Sequence, residues 1–305
     1  MVLPFFFSLL IVTQAWSVRS QQLQQQSKNI FILAGQSNMA GRGGVVNNTI
    51  TGIATWDGIV PPQCSPNPSI LKLSANLTWV LAHEPLHSDI DFNKINGIGP
   101  GMAFANYVLG EDPNFGIIGL VPCAVGGTKI SLWEKGTFHY KQMMKRAQVS
   151  VQNGGTIQAL LWYQGESDTE SQEEAKSYKA KLKKFFLDVR DDLQSPMLPI
   201  IQVALASGSG PFMEIVREAQ MGIDLMNLRT IDAKGLPLEP DSLHLTTAAQ
   251  VQLGKMVADT FLKFLPSGPV SPIGSSAPRN SSNFVVNILI APLLLCIIMI
   301  LTNIV

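Results

Sequence analysis

The sequence predicts an α/β fold in which a parallel β-sheet is covered by helices on both faces. Between about residues 28 and 266, short apolar runs of strand length alternate with longer amphipathic stretches. The short runs are continuously apolar, which is typical of strands buried on both sides. Strand followed by helix, repeated along the chain, favours parallel pairing.

Five apolar runs are the predicted strands. The first ends at a glycine, and the second ends at a proline that is soon followed by a Gly-Gly pair. In order, the runs are Asn29–Ala34, Phe115–Val121, Ile157–Tyr163, Leu198–Leu205 and Leu228–Asp232.

Five amphipathic stretches are the predicted helices. The clearest is 171–193, because Ser171 and Glu174 have capping-box spacing and apolar residues then recur at three- and four-residue steps. The others are Pro100–Leu109, Phe138–Val151, Pro211–Leu225 and Thr246–Leu265. Residues 41–97, rich in Gly, Pro and Asn, do not fit this alternation, and we expect a long insertion or loop region near the functional site.

The charge of the chain excludes one class of partner. Its 305 residues carry 22 Lys and Arg against 22 Asp and Glu, so the formal net charge is zero. Binding to a phosphate backbone needs clustered basic residues, and the sequence has no such run. We therefore expect no nucleic-acid partner.

The N-terminal part resembles a targeting segment. Residues 1–20 contain an apolar run of signal-peptide length, with small residues at Val18 and Ser20 before a cleavage point. The basic n-region is missing, and an N-terminal anchor helix is the alternative. Residues 21–28 form a Gln-rich leader, and the folded domain is expected over 29–266.

The C-terminal part has the pattern of an attachment signal. Residues 267–283 are a polar spacer rich in Pro, Ser and Gly, and 284–305 are 22 residues without a charge. This order favours a GPI-attachment signal, and a single transmembrane anchor is the alternative. Either predicts passage through the secretory pathway to an extracellular or cell-surface location, with the tail as the membrane contact.

Two further features fit that compartment. Sequons at Asn47, Asn76 and Asn280 predict N-glycosylation. Cys64 and Cys123, the two cysteines outside the tail, are either a disulfide pair or two buried free thiols. Both alternatives stay open, because sequence does not fix the distance between Cα atoms.

Ser37 follows the first predicted strand, in Gly-Gln-Ser-Asn-Met. Open parallel sheets bind ligands at the carboxyl ends of their strands. A hydroxyl at such a strand-to-helix turn lies near backbone N–H groups that favour an oxyanion. Ser37 is therefore a candidate nucleophile, although it could also be only a helix N-cap.

The ends of the next two strands carry candidate donors. Gly126 and Gly127 could offer backbone N–H groups or simply form a tight turn. Gln164 could donate its side-chain amide to developing negative charge. Glu166 and Asp168, in the same segment, could equally be solvated carboxylates that cap the next helix.

Asp241 and His244 stand three residues apart before the last predicted helix. A carboxylate in this position can hold the imidazole in one tautomer and stabilise the imidazolium that forms. His244 would then accept the proton of Ser37 as general base.

A competing zinc-protease pattern, H-E-x-x-H, occurs at His83–His87. That chemistry needs both histidines on one face of a regular helix, and Pro85 disrupts such a helix. We therefore expect these residues to shape a pocket edge or to be structural. His139 stands alone and is expected to be a surface or packing residue.

Six segments in order resemble one known family. They lie between about Ile30 and Phe264: IFILAGQSNMAGRGG, HEPLH, GIGPGMAFA, IGLVPCAVGGT, LLWYQGESD and KGLPLEPDSLHLTTAAQVQLG. Together they resemble the SGNH-type esterases, specifically the carbohydrate esterases related to sialate O-acetylesterases and acetylxylan esterases. The resemblance is closest to the plant members.

The resemblance implies a three-layer α/β/α sandwich with a mostly parallel central sheet, of the SGNH-hydrolase, flavodoxin-like type. It implies Ser37 as nucleophile, His244 as base and Asp241 as orienting acid. The implied oxyanion hole consists of the Ser37 N–H, an N–H of the Gly126-Gly127 turn, and the side chain of Gln164, which stands where many members have Asn. Glu166 is implied as a second acid that assists the histidine.

The implied activity is hydrolysis of O-acetyl esters on a carbohydrate through an acetyl-enzyme, with no metal or organic cofactor. A catalytically weak carbohydrate-binding surface protein on the same scaffold is the alternative. The sequence predicts neither the sugar nor the oligomeric state.

Overall fold

A seven-stranded sheet forms the centre of the computed structural model, which describes residues 27–47 and 51–265. Its strand order is β5-β4-β6-β1-β7-β8-β9, and every neighbouring pair is parallel except β4 and β5. The strands are β1 (Asn29–Gly35), β4 (Ile70–Leu73), β5 (Trp79–Leu81), β6 (Ile118–Pro122), β7 (Thr156–Tyr163), β8 (Ile200–Ala204) and β9 (Leu228–Asp232). The predicted α/β fold with a mostly parallel sheet is confirmed.

Six helices accompany the sheet in the described part of the chain. The five predicted helices are present, and the longest begins where the capping box places it, with the Ser171 side chain accepting from the Glu174 N–H. The helices are α1 (Ser37–Ala40), α2 (Pro100–Glu111), α3 (Phe138–Ser150), α4 (Gln172–Asp192), α5 (Met213–Met221) and α6 (Thr247–Leu262).

Aromatic clusters mark the two faces of the sheet. Phe31 of β1 packs edge-to-face on Phe104 of α2 and Phe261 of α6, with ring centroids 4.8 Å apart in each pair. Trp162 of β7 packs instead on Phe185 of α4, at 4.5 Å. Burying such rings on both sides accounts for continuously apolar strands.

Residues 41–97 are more regular than expected. They contain β2 (Val45–Asn47) and β3 (Ala54–Trp56), which form a small antiparallel pair, and also β4 and β5. The expectation of a loop region is therefore wrong for these strands. Each is only three or four residues long, and the buried Lys72 interrupts the apolar pattern of β4.

Several predicted segments lie outside the described residues. These are the signal peptide 1–20, most of the leader 21–28, the spacer 267–283, the tail 284–305 and Asn280. The side chain of Asn47 is also outside the description, whereas Asn76 is exposed in the turn between β4 and β5. Among residues 27–47 and 51–265, no helix is both long and apolar enough to cross a bilayer.

The two cysteines of the domain are free thiols, so the disulfide alternative is wrong for this structure. Cys64 ends a 3₁₀ turn packed against α2, whereas Cys123 follows β6 beside the Arg146 guanidinium. Both are buried, and burial raises the pKa of each thiol.

Candidate active site

Ser37 lies at the carboxyl end of β1, in the middle of the sheet. Gly35 makes this position accessible: its φ is +130°, and a β-carbon there would lie 2.0 Å from the Tyr163 carbonyl oxygen of β7. Only glycine adopts this conformation so close to a neighbouring strand. Ser37 then begins the single turn α1, where N–H groups have no intrahelical acceptor.

His244 joins Ser37 to Asp241 through two hydrogen bonds. His244 Nε2 lies 2.9 Å from Ser37 Oγ, across 207 residues of sequence, and His244 Nδ1 lies 2.6 Å from Asp241 Oδ2. With the proton on Nδ1 donated to Asp241, Nε2 accepts from the serine hydroxyl. The structure therefore brings together the three residues that the sequence singled out.

Asp241 is held as a carboxylate by its own loop. Its Oδ1 accepts from the backbone N–H groups of Leu243 and His244, each at 2.9 Å. Burial raises the pKa of Asp241, but these N–H groups and the His244 side chain outweigh it and hold the pKa below its usual value. An ionised Asp241 fixes the orientation of the imidazole.

Asn38 ties the Ser37 turn to the His244 loop. Its side chain is fully buried; Oδ1 accepts from the Leu245 N–H at 2.9 Å, and Nδ2 donates to the Leu243 carbonyl at 3.2 Å. These bonds fix the backbone of Leu243 and Leu245, the residues on either side of His244. Sequence reasoning missed this role, although Asn38 belongs to the same motif as Ser37.

Glu166 accepts a hydrogen bond from the Asn38 side chain. Its Oε1 accepts from Asn38 Nδ2 at 2.7 Å. Burial raises the pKa of Glu166 to about 7, while the hydrogen bond from Asn38 acts in the opposite direction. No hydrogen bond joins Glu166 to His244 within the described part of the chain, whereas the Asp241 carboxylate is hydrogen-bonded to the imidazole.

A β-carbon built on Gly126 would contact the Ser37 side chain, whereas one built on Gly127 would not. A β-carbon on Gly126 would be 3.5 Å from Ser37 Cβ, 3.2 Å from Asp91 Oδ2 and 2.6 Å from Arg42 Nη2. One on Gly127 would have no described atom within 4 Å. Across residues 27–47 and 51–265, neither Ser37 N–H nor Gly126 N–H has a backbone acceptor. Gly126 is thus the glycine whose β-carbon position lies against Ser37, and the Gly127 N–H likewise has no backbone acceptor among the described residues.

Arg42 and Asp91 form a buried ion pair beneath Gly126. Arg42 Nη1 also donates to the Gly41 carbonyl and to Asn96 Oδ1, both at 2.8 Å. Both partners of the ion pair are at least nine-tenths buried. Sequence reasoning missed them: Arg42 lies in the first quoted motif, but Asp91 falls in a region that shows no regular pattern.

The amide of Gln164 is already committed inside the protein, which argues against its predicted part in an oxyanion hole. The side chain is fully buried, and Nε2 donates to the Thr128 carbonyl at 2.8 Å and to Asp168 Oδ2 at 2.6 Å. An amide nitrogen has two protons, and these two acceptors use both. Gln164 instead joins the ends of β6 and β7.

The H-E-x-x-H residues form turns rather than a helix. His83 is exposed, whereas Glu84 and His87 are buried. Burial raises the pKa of Glu84 to about 8 and lowers that of His87 to about 3. The two histidines therefore share no helix face, and the geometry required of a zinc protease is not met.

Comparisons with known proteins agree with the motifs. A family model described as a carbohydrate esterase, sialic acid-specific acetylesterase, matches residues 27–263. A probable carbohydrate esterase of Arabidopsis thaliana is 55% identical over 234 residues, which is 76% of this chain and 90% of that protein. A solved structure of an Arabidopsis thaliana protein has a TM-score of 0.76 at 54% identity, covering 78% of this chain and 99% of that one.

Two solved structures at lower identity share the fold. NanS has a TM-score of 0.62 at 15% identity and covers 78% of this chain and 97% of its own. A carbohydrate acetylesterase from Xanthomonas citri has a TM-score of 0.51 at 16% identity, covering 75% of this chain and 55% of that chain.

Proposed function

The chain belongs to the carbohydrate esterase family of sialic acid-specific acetylesterases, and we propose that it hydrolyses O-acetyl esters on a carbohydrate with Ser37 as nucleophile. Family membership makes it a carboxylic ester hydrolase and confirms the predicted resemblance. The observation that carries the proposed mechanism is the pair of hydrogen bonds from Ser37 Oγ through His244 to Asp241, at 2.9 and 2.6 Å.

The first step is attack of Ser37 Oγ on the acetyl carbonyl carbon. His244 Nε2 accepts the hydroxyl proton as the C–O bond forms, and Asp241 stabilises the resulting imidazolium. The electron pair of the carbonyl moves to its oxygen, which becomes an oxyanion.

In the proposed mechanism two backbone N–H groups stabilise that oxyanion. They are those of Ser37, at the start of α1, and of Gly126, beside it. Donors fixed before the reaction need no reorganisation as charge develops, and the loss of one such donor typically lowers kcat by about 10²- to 10³-fold.

Collapse of the tetrahedral intermediate breaks the bond to the sugar oxygen, which takes the proton from His244 and leaves as a hydroxyl. The acetyl group stays on Ser37 Oγ. A water molecule then gives a proton to His244 and attacks the acetyl carbon. As the acyl bond to Ser37 Oγ breaks, His244 returns that proton to Oγ, which restores the serine and releases acetic acid, ionised to acetate at neutral pH.

Purified protein tests this proposal through acetate release from O-acetylated saccharides. We expect Ser37→Ala to lower kcat by at least about 10³-fold. Ser131→Ala, which changes an exposed serine, is the matched control and should retain wild-type rates. Undiminished acetate release by Ser37→Ala would overturn the assignment of the nucleophile.

The carbohydrate-binding alternative makes an opposite prediction. A protein with little turnover would bind saccharides while a fluorophosphonate probe failed to label its serine. We expect labelling of the wild type and none of Ser37→Ala. The comparisons name esterases and give this alternative no support.

Location forms a second part of the proposal: the protein enters the secretory pathway and is held at the cell surface by a GPI anchor. The apolar run in residues 1–20, the uncharged segment 284–305 and the sequons support this. Phosphatidylinositol-specific phospholipase C should release the protein from membranes. Release by detergent alone would favour a transmembrane helix.

A further inference from the structure

A cavity of about 460 Å³ opens on one side of Gly126. Its walls are the loop 89–94, the segment from Cys123 to Gly126 that follows β6, and the first turns of α3. This volume lies within the range of about 300–1,000 Å³ that is usual for small-molecule sites. The mechanism above uses Gly126 and leaves the rest of the cavity unexplained.

The cavity is continuous with the site of the reaction. Gly126, proposed as an oxyanion donor, is part of its wall, and so is Asp91. A β-carbon on Gly126 would be within 3.5 Å of both Asp91 Oδ2 and Ser37 Cβ. A group attached to an ester at Ser37 therefore has this cavity as its neighbour.

Two exposed aromatic rings line the cavity, one on the loop and one on α3. Phe92, in the loop, is 73% exposed, and Phe138, at the start of α3, is 69% exposed. They are the only aromatic residues among the large exposed apolar side chains of residues 27–47 and 51–265. Their presence on the two walls of one cavity indicates a ligand with apolar faces.

Polar groups without an internal partner line the same cavity. The side chains of Asn93 and Gln142 make no hydrogen bond to another described residue, and both line the cavity. His139 lines it too, and its ring is held by stacking on Trp133 with centroids 5.4 Å apart. Burial lowers the pKa of His139 and so favours the neutral ring, which both donates and accepts.

We propose that this cavity holds the pyranose ring that carries the acetyl ester. Phe92 and Phe138 contact the C–H faces of the sugar, and Asn93, His139 and Gln142 bind its free hydroxyls. A pyranose has apolar C–H faces, which can pack on the two phenylalanine rings. It also has a rim of hydroxyls, which can bind the polar side chains of the lining. The inference rests on the proposed function and adds to it the residues that recognise the sugar. It also gives His139 a role, where the sequence indicated only a surface or packing residue.

The test compares two kinds of ester in each variant. p-Nitrophenyl acetate has no sugar, whereas partially acetylated xylo-, manno- and galacturono-oligosaccharides and O-acetylsialic acid have one. For the sugar ester that the wild type hydrolyses best, the ratio of its kcat/KM to that of p-nitrophenyl acetate is measured. Because a misfolded fraction lowers both activities equally, this ratio reports recognition of the sugar.

We expect Phe92→Ala and Phe138→Ala each to lower the ratio by about 3- to 10-fold, mainly through KM. Met226→Ala is the matched control, because Met226 is 70% exposed and precedes β9, at the opposite edge of the sheet. It should leave the ratio unchanged. Ratios within about twofold of wild type in both Phe variants would overturn the sugar site while leaving the esterase intact.

A binding measurement separates this proposal from the catalytic one. Saturation-transfer NMR on Ser37→Ala with the same oligosaccharides reports binding without turnover. Saccharide signals that weaken on adding Phe92→Ala and Phe138→Ala to that background support the site, even if the wild type releases no acetate. Signals that these changes leave undiminished contradict it.

Discussion

Arg42 Nη2 lies 2.6 Å from the point that a β-carbon on Gly126 would occupy. The guanidinium cannot move away freely, because it is paired with the buried Asp91. A glycine is therefore required at position 126 because a β-carbon would collide with Arg42, and not because of the backbone conformation. Gly127 is the reverse case: it has open space around it and a φ of +76°.

Replacing each glycine with alanine should consequently have a different effect on activity and stability. Gly126→Ala displaces either its own N–H or Arg42, and we expect kcat to fall by about 10²-fold, as a misplacement of about 1 Å can cause. Gly127→Ala should keep most of the activity but lower the free energy of unfolding by about 1–2 kcal/mol, because alanine is strained at positive φ. Steady-state kinetics and urea unfolding of both variants check this. Equal losses of kcat would contradict the choice of Gly126.

Asp91→Asn tests the ion pair beneath Gly126. Breaking a buried pair leaves an uncompensated charge, so we expect a loss of about 3–5 kcal/mol in the free energy of unfolding, together with a lower kcat. The control is Asp259→Asn, because Asp259 pairs with Lys255 at 2.7 Å and the two side chains are 46% and 51% exposed. That change should cost about 1 kcal/mol or less. Similar losses of stability in the two variants would show that the Arg42–Asp91 pair stabilises the fold no more than the control pair does.

Asp241 and Glu166 are distinguished by what they touch. Asp241 accepts from His244 Nδ1, whereas Glu166 accepts from Asn38. We expect Asp241→Asn to lower kcat by about 10³- to 10⁴-fold, because the amide favours the wrong imidazole tautomer. Glu166→Gln keeps the shape of the side chain, and we expect less than about a tenfold loss. A larger effect of Glu166→Gln than of Asp241→Asn would assign the acid role to Glu166.

The strand and helix pattern was predictable because each central element is long enough to show its own period. β1 and α4 are examples, the second with its capping box intact. β4 was not predictable, because a four-residue strand with a buried lysine has no clear period. Its place in the sheet comes from pairing with β6, 48 residues later in the case of Ile70 and Ile118.

The site was predictable where a motif places a side chain directly after a strand, as for Ser37, or directly before a helix, as for His244. It was not predictable where a role depends on what surrounds the side chain. Gln164 follows β7 as expected, yet its side-chain amide already donates hydrogen bonds to the Thr128 carbonyl and to Asp168. His139 looks isolated in the sequence and lies on the wall of the cavity beside Gly126.

Gln164→Ala separates a structural role from a catalytic one. Removing the amide leaves the buried Thr128 carbonyl and Asp168 short of a donor, at about 1–3 kcal/mol for each group. We expect a clear fall in the free energy of unfolding, and any loss of kcat should accompany it. An unchanged stability with a 10²-fold lower kcat would instead restore Gln164 to the oxyanion hole.

Glu84 and His87 should shape the dependence of stability on pH. Burial raises the pKa of Glu84 from its ordinary 4.5 to about 8, so between these values the folded state holds a proton that the unfolded state has lost. The free energy of unfolding therefore falls as pH rises from 4.5 to 8. His87 acts on the other side: its pKa is lowered from 6.5 to about 3, by burial first and then by Arg146, Lys72 and Arg42. Stability from this group is lost as pH falls from 6.5 to 3.

Glu84→Gln isolates the first effect. Its side-chain oxygen can still accept from the Leu86 N–H, which is 2.8 Å from Glu84 Oε2. The variant has no proton to lose, so we expect it to gain stability relative to wild type between pH 5 and pH 8, on the order of several kcal/mol. Urea unfolding at both pH values measures this, with Glu173→Gln, an exposed residue of α4, as the control. A difference between variant and wild type that stays the same at pH 5 and pH 8 would mean that the Glu84 carboxyl titrates no differently in the folded protein than in the unfolded chain.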